Sequence, residues 1–144
     1  MRKGRMPTHR IEHQVKTHGD GDIIDLSQPA ADAVSDSRVR DGICTIFAVG
    51  STSAITTIEF EPGLKVDLPR ILNQIAPRGD EYEHDKTWGD GNGFSHIRAS
   101  LIGPSITVPV ADGHLMLGQW QQPVLIECDN RPRQRTILIT VLGE

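Results

Sequence analysis

The sequence predicts an α+β fold of mostly antiparallel β-sheets, with a few short helices in the middle of the chain. Three observations predict it. Runs rich in β-branched residues gather toward the two ends of the 144-residue chain. Helical spacing is confined to segments between such runs. Strands and helices do not alternate as the crossovers of a parallel sheet require.

The elements follow in order. Residues 11–16 read as a first strand, and Gly19-Asp20-Gly21-Asp22 as a turn before a short strand at 23–26. Ser27 is a helix cap, and Pro29 fits the first turn, where its missing N–H costs nothing. Ala30, Ala33 and Val34 give that helix a thin apolar face ending near Arg38. Residues 43–49 and 54–59 are strands joined by the turn chemistry of Gly50-Ser51-Thr52-Ser53. Leu64, Leu68, Ile71, Leu72 and Ile75 then form one helical stripe. Pro69 predicts a division there: a turn at 62–66, then a second helix capped by Asp67. Residues 77–96 show no period. Ser95 is positioned to cap a helix from His96 to about Ile102, stopped by Gly103 and Pro104. Strands at 105–110, 114–117, 119–128 and 135–142 close the chain, with Asp112-Gly113 as a hairpin turn.

Composition narrows the function. The formal charge is −4, which argues against general nucleic-acid binding. No apolar run approaches the ~20 residues of a membrane span. Arg2, Lys3, Arg5 and Arg10 make residues 1–10 a flexible basic tail ahead of one domain at 11–144; no apolar stretch follows them, so the tail is not a secretory signal. Cys44 and Cys128 both sit in strand-like runs and read as buried small hydrophobes without a Cys-x-x-Cys pair. A reducing, cytoplasmic compartment fits that usage.

The candidate chemistry centres on the polar segment from Tyr82 to His96. Residues 77–96 hold Tyr82, Trp88 and Phe94, half of the chain's six aromatics, which predicts an ordered, packed loop. Beside them stand His84, Asp85, Asp90 and His96, residue types that ligate zinc, manganese and related ions. A hydrogen-bonded clasp explains the same residues equally well. Ser51, Thr52 and Ser53 can present hydroxyls and amides to an anion, or form only a strand turn. Glu59 ends its strand as a base, a ligand or an edge charge. Arg131, Arg133 and Arg135 alternate, so in an extended chain they share one side and could clamp a phosphate, or cover a solvated hairpin tip. Trp120 could stack on a substrate or pack at an interface. There is no nucleophile elbow, phosphate-binding glycine loop or dinucleotide fingerprint.

Four motifs occur together and in order: Ser51-Thr52-Ser53-Ala54-Ile55-Thr56-Thr57-Ile58-Glu59, then Tyr82-Glu83-His84-Asp85, then Ser95-His96-Ile97-Arg98-Ala99-Ser100-Leu101-Ile102-Gly103, then Leu117-Gly118-Gln119-Trp120-Gln121. Together they resemble the YjbQ family, the secondary thiamine-phosphate synthase-like proteins, over nearly the whole chain. The resemblance implies an α+β subunit, a homotrimer and a pocket holding a divalent metal ion (zinc, magnesium or manganese). It implies His84 and His96 as metal residues and Glu59 and Asp85 as acidic, catalytic ones. It also implies a side activity that joins a pyrimidine methyl pyrophosphate to a thiazole phosphate. Ser51, Thr52, Ser53, Tyr82, Arg131 and Arg133 are then expected to hold a small phosphorylated metabolite, in a protein that contacts neither nucleic acid nor membrane. One departure stands out. Many relatives carry a histidine where this chain has Gly50, so a three-histidine zinc site cannot form from the matching positions. Either Glu59, Asp85 or water supplies the third ligand, or the ion is a harder one. The alternative is a non-catalytic trimeric module that binds an anionic metabolite or an ion.

Overall fold

The structure, a computed structural model, describes residues 6–144. β1 (Thr8–Lys16) alternates exposed and buried side chains and pairs with β8 (Gln134–Gly143) from Thr8↔Leu142 to Lys16↔Gln134. β3 (Gly42–Val49), β5 (Ser105–Ala111) and β6 (His114–Leu115) complete an antiparallel sheet ordered β1-β8-β3-β5-β6. β2 (Ile23–Asp25), β7 (Gln122–Glu127) and β4 (Ser53–Ile58) form a second antiparallel sheet ordered β2-β7-β4. This is the α+β class the sequence predicts.

Period-two burial decides the layering. Ile137, Ile139 and Val141 of β8 and Cys44, Ile46 and Ala48 of β3 meet Leu125 and Ile55 of the smaller sheet. The same core takes Ala30, Ala33 and Val34 of α1 (Ser27–Ser37). Val124, Ile126 and Ala54 point the other way, onto Leu72 of α2 (Pro62–Ile75) and Ala99 of α4 (Gly93–Ile102). β7 is therefore buried on both faces. The predicted inward positions of both cysteines hold, and burial pushes the Cys44 thiol up to about 11 and the Cys128 thiol up to about 12.

Several local expectations are corrected. The basic tail does not extend to residue 10. β8 runs far enough to pair Thr8 to Arg10, and Arg10 donates to Thr140 Oγ1 at 3.0 Å; residues 1–5 of the tail lie outside the described residues. Pro69 does not divide its helix. α2 is continuous and capped by Glu61, whose carboxylate accepts from Gly63 N and Leu64 N, not by Asp67. The helix lies at the surface, so water can serve the one carbonyl that Pro69 leaves without a donor. Ser27 is inside α1, and the capping oxygen is Asp25 Oδ1. Residues 77–96 are not structureless, because α3 (Glu83–Trp88) lies within them. Trp88 is 73% exposed, so it is no packed spacer, whereas Phe94 is buried. Residues 119–121 form a turn, not strand, that carries an exposed Trp120.

Candidate functional site

Two short helices and one turn position the site. Tyr82 precedes α3 and its hydroxyl donates to Pro77 O at 2.8 Å. Its ring lies so close to Gly93 that a Cβ there would stand 2.5 Å from Tyr82 Cβ, which is why glycine opens α4. Asp85 Oδ1 accepts from Gly93 N at 2.8 Å and so caps α4 from a neighbouring helix. Ser95, expected as that cap, is instead in the first turn, with a buried hydroxyl that has no partner among the described residues.

This packing brings the two histidines together. The His84 and His96 rings lie 4.3 Å apart between centroids, tilted by 55°. His84 Nε2 is 3.1 Å from Asn92 Oδ1 and 3.6 Å from Asp90 Oδ1. Asn92 is wedged between two carboxylates. Its nitrogen donates to Asp129 Oδ1 at 3.3 Å, which turns its oxygen toward Asp90 and His84. The opposite amide orientation donates to His84 Nε2 at 3.1 Å and to Asp90 Oδ1 at 3.0 Å. In that orientation one amide nitrogen serves both His84 and Asp90. Among the described residues, no three His, Cys, Asp or Glu side chains converge in a ligand cluster.

His96 also lines a cleft of about 190 Å³ with Gly50, Ser51, Ser53, Ala99, Ser100 and Pro104. Its walls are fixed from both sheets: Ala48 N donates to Pro104 O and Ile55 N to Gly103 O. The structure therefore joins the 50–53 turn to His96. Other expected residues stand elsewhere. Glu59 lies beyond the far end of β4 from Ser53, roughly 20 Å along an extended strand. Asp85 is occupied with its cap. Arg131 is exposed, and Arg133 donates to Asp129 Oδ2 from Nε at 2.7 Å. Thr52 Oγ1 donates to Asp129 and accepts from Arg135.

Sequence reasoning missed the polar network beneath this turn. Glu127 accepts Arg135 through both carboxylate oxygens and takes Thr17 Oγ1 at 2.8 Å. Asp129 gathers Thr52, Asn92, Arg133 and its neighbour Asn130 N. The available signal was Glu127 and Asp129 at alternate positions ahead of Arg133 and Arg135. Burial would raise the Asp129 carboxyl, but the hydrogen bonds from Asn130 N, Arg133, Asn92 and Thr52 outweigh it and hold it below its ordinary 3.8. A lowered carboxyl stabilises the fold above its unfolded pKa, and that stability is lost as pH falls through the folded one. Unfolding curves taken from pH 7 downward should therefore show Asp129→Asn less stable than wild type at pH 7, with the gap closing below pH ~4. A gap independent of pH would remove Asp129 from the acid response.

The chain matches the family model described as UPF0047 protein YjbQ-like over residues 11–144. It belongs to the YjbQ-like UPF0047 family. A UPF0047 protein of Methanothermobacter thermautotrophicus is 35% identical over 139 residues, covering 96% of this chain and 95% of its own. A second, from Methanocaldococcus jannaschii, is 32% identical over 93% of this chain and 94% of its own. The crystal structure of a YbjQ-like protein of unknown function from Sulfolobus solfataricus superposes with a TM-score of 0.86, at 27% identity, over 95% of this chain and 99% of that one. A UPF0047-family structure from Clostridium acetobutylicum gives a TM-score of 0.83 at 32% identity, over 91% and 98% of the two chains. These likenesses bear out the family resemblance and the fold class. Among the described residues, no helix is long and apolar enough to cross a membrane.

Proposed function

We propose that this YjbQ-like chain binds a small phosphorylated metabolite in the cleft between the 50–53 turn and α4, beside a divalent ion held at His84 and His96, with weak thiamine-phosphate synthase chemistry as a side activity. The observation that carries this reading is the close histidine pair at the edge of a cleft lined by Ser51 and Ser53. The donor set fits an ion loosely. The His84 imidazole stands beside Asn92 and Asp90, with the His96 ring next to it, so nitrogen and oxygen donors lie within reach of one ion. Imidazoles suit zinc; amide and carboxylate oxygens suit magnesium or manganese. When bound, such an ion would supply charge stabilisation for a departing pyrophosphate. Of the chain's own residues, Ser51 and Ser53 orient phosphate oxygens, and Asn92 and Asp90 fix the His84 ring.

A homotrimer completes the same reading. Ligand sites for small organic molecules run to about 300–1,000 Å³, so the cleft of one chain holds a phosphoryl group and little beyond it. Phe47 and Val49 on the outer sheet face, Ile97 and Leu101 on α4, and Trp120 are exposed and apolar, as an interface between copies requires.

Metal titration of the purified full chain should show binding of zinc or manganese that His84→Ala and His96→Ala each weaken by about tenfold or more. Pyrophosphate release from the pyrimidine and thiazole substrates should fall with it. Full turnover by metal-stripped protein would overturn the metal-assisted step. One observation favours a purely binding module: no three ligating side chains converge among the described residues, and no carboxylate lines the cleft as a general base. Metabolite binding without product after prolonged incubation would decide for that module.

A further inference from the structure

We propose that the guanidinium of Arg135 and the hydroxyl of Ser53 form the oxyanion subsite of this cleft and take the phosphoryl group of the ligand. The inference rests on the cleft being a phosphate site and assigns the groups that recognise it. Neither Arg131 nor Arg133, the arginines the sequence favoured, is suited to that role.

Arg135 is 7% exposed and held rigidly. Its Nε donates to Glu127 Oε2 at 2.8 Å, and Nη2 donates to Glu127 Oε1 and to Thr52 Oγ1. Nη1 alone has no partner among the described residues, and it is not sealed from solvent. It faces Gly50: a Cβ at that position would stand 3.0 Å from Nη1. Gly50 has φ +144°, which side-chain-bearing residues rarely adopt. Gly50, which lines the cleft, therefore leaves only bare backbone beside this fixed guanidinium nitrogen. A side chain here would cover the nitrogen.

Ser53 supplies an independent indication. It lines the same cleft, is 2% exposed, and its Oγ has no hydrogen-bond partner among the described residues. Buried hydroxyls are ordinarily satisfied, so an orphan at a cleft wall marks a donor without its acceptor. Ser53 pairs in register with Glu127, the residue that fixes Arg135. Arg135 is anchored to that carboxylate, and Ser53 is held opposite Glu127 by the β4–β7 ladder. Their positions are set before any ligand arrives, which saves the ordering cost of binding. A guanidinium N–H and a hydroxyl suit the oxygens of a phosphate monoester, and charge assistance strengthens the first contact.

The test is calorimetric titration of the full chain with inorganic phosphate and with a simple phosphate monoester. Ser53→Ala is the decisive variant, because its hydroxyl makes no internal bond and its removal should leave the unliganded melting temperature unchanged or higher. The expected result is at least threefold weaker binding by Ser53→Ala and at least tenfold by Arg135→Lys, which keeps a charge against Glu127 but removes Nη1. Phosphate binding at wild-type strength by Ser53→Ala and by any folded Arg135→Lys would overturn this assignment while leaving the cleft as a phosphate site. Absence of phosphate binding to the wild-type chain would overturn both. Weakened phosphate binding in the variants, with no metal dependence of turnover, would uphold the subsite and sink only the metal-assisted step.

Discussion

Glu127→Ala should cost about 3–5 kcal/mol of stability, because it leaves a buried guanidinium with no hydrogen-bonded counter-charge and only the Asp129 carboxylate 3.9 Å away. The carboxylate is buried and accepts Arg135 through both oxygens. It also accepts from Thr17 Oγ1 and from Asp129 N, so its loss strands three donor groups at once. Removing one partner of a buried pair costs far more than the pair itself contributes, since the survivor keeps its full desolvation penalty. For a chain of this length the melting temperature should fall by roughly 10 °C or more. Urea unfolding at pH 7 measures the free energy directly. A loss below about 1 kcal/mol would mean that the network relaxes or admits water, and that the pair does not anchor this end of the two sheets.

Arg98→Leu should be the second large loss, at about 3 kcal/mol or more. Arg98 is 2% exposed, yet each guanidinium nitrogen is used. Nε donates to Ala76 O at 3.0 Å, Nη1 to Asp20 Oδ1 at 2.8 Å and Nη2 to Asn73 Oδ1 at 3.0 Å. The guanidinium carbon sits 4.7 Å from the Phe94 ring centroid. One side chain thus ties α4 to the end of α2 and to the turn before β2. Leucine fills similar space but satisfies none of these acceptors. Burial raises the Asp20 carboxyl above 3.8 despite the pull of Arg98 and Arg78, so the folded chain holds that proton more tightly than the unfolded chain does. A raised carboxyl weakens the fold as pH rises through its folded value. Removing Arg98 deepens that effect. The deficit of the variant should therefore be larger at pH 7 than near pH 4, in thermal melts taken at both. Equal deficits would show that packing, not charge, carries the role of Arg98. Arg98→Lys should recover only part of the loss, because one ammonium cannot reach three acceptors in three directions.

The strand content of the fold was legible because period-two burial is written into adjacent residues. Ile137, Ile139 and Val141 specify an inward face whatever lies across from them. The helices were legible as stripes, but their ends were not. Pro69 predicts a break from local rules, and the helix continues because one lost bond on an exposed face is affordable to a turn packed through Leu72. Ser95 is a good cap by type, yet Asp85 from the neighbouring helix caps α4, a pairing set by how α3 folds back.

For the site, the sequence by itself determined which residue types are available: two histidines flanking an acidic turn, a hydroxyl-rich strand junction, and alternating arginines. It also determined family membership, through the order of four motifs. Only the tertiary structure decided which of these meet. It sets His84 against His96 and brings His96 to the 50–53 turn. It sends Glu59 to the far end of β4, and gives Arg133 to Asp129. The physical reason is that buried charge must be paired. Which arginine is consumed by an internal carboxylate, and which keeps a nitrogen free, depends on how β4 and β7 of one sheet pack against β8 of the other. No local pattern in the chain records that packing across the gap from Ser53 to Arg135.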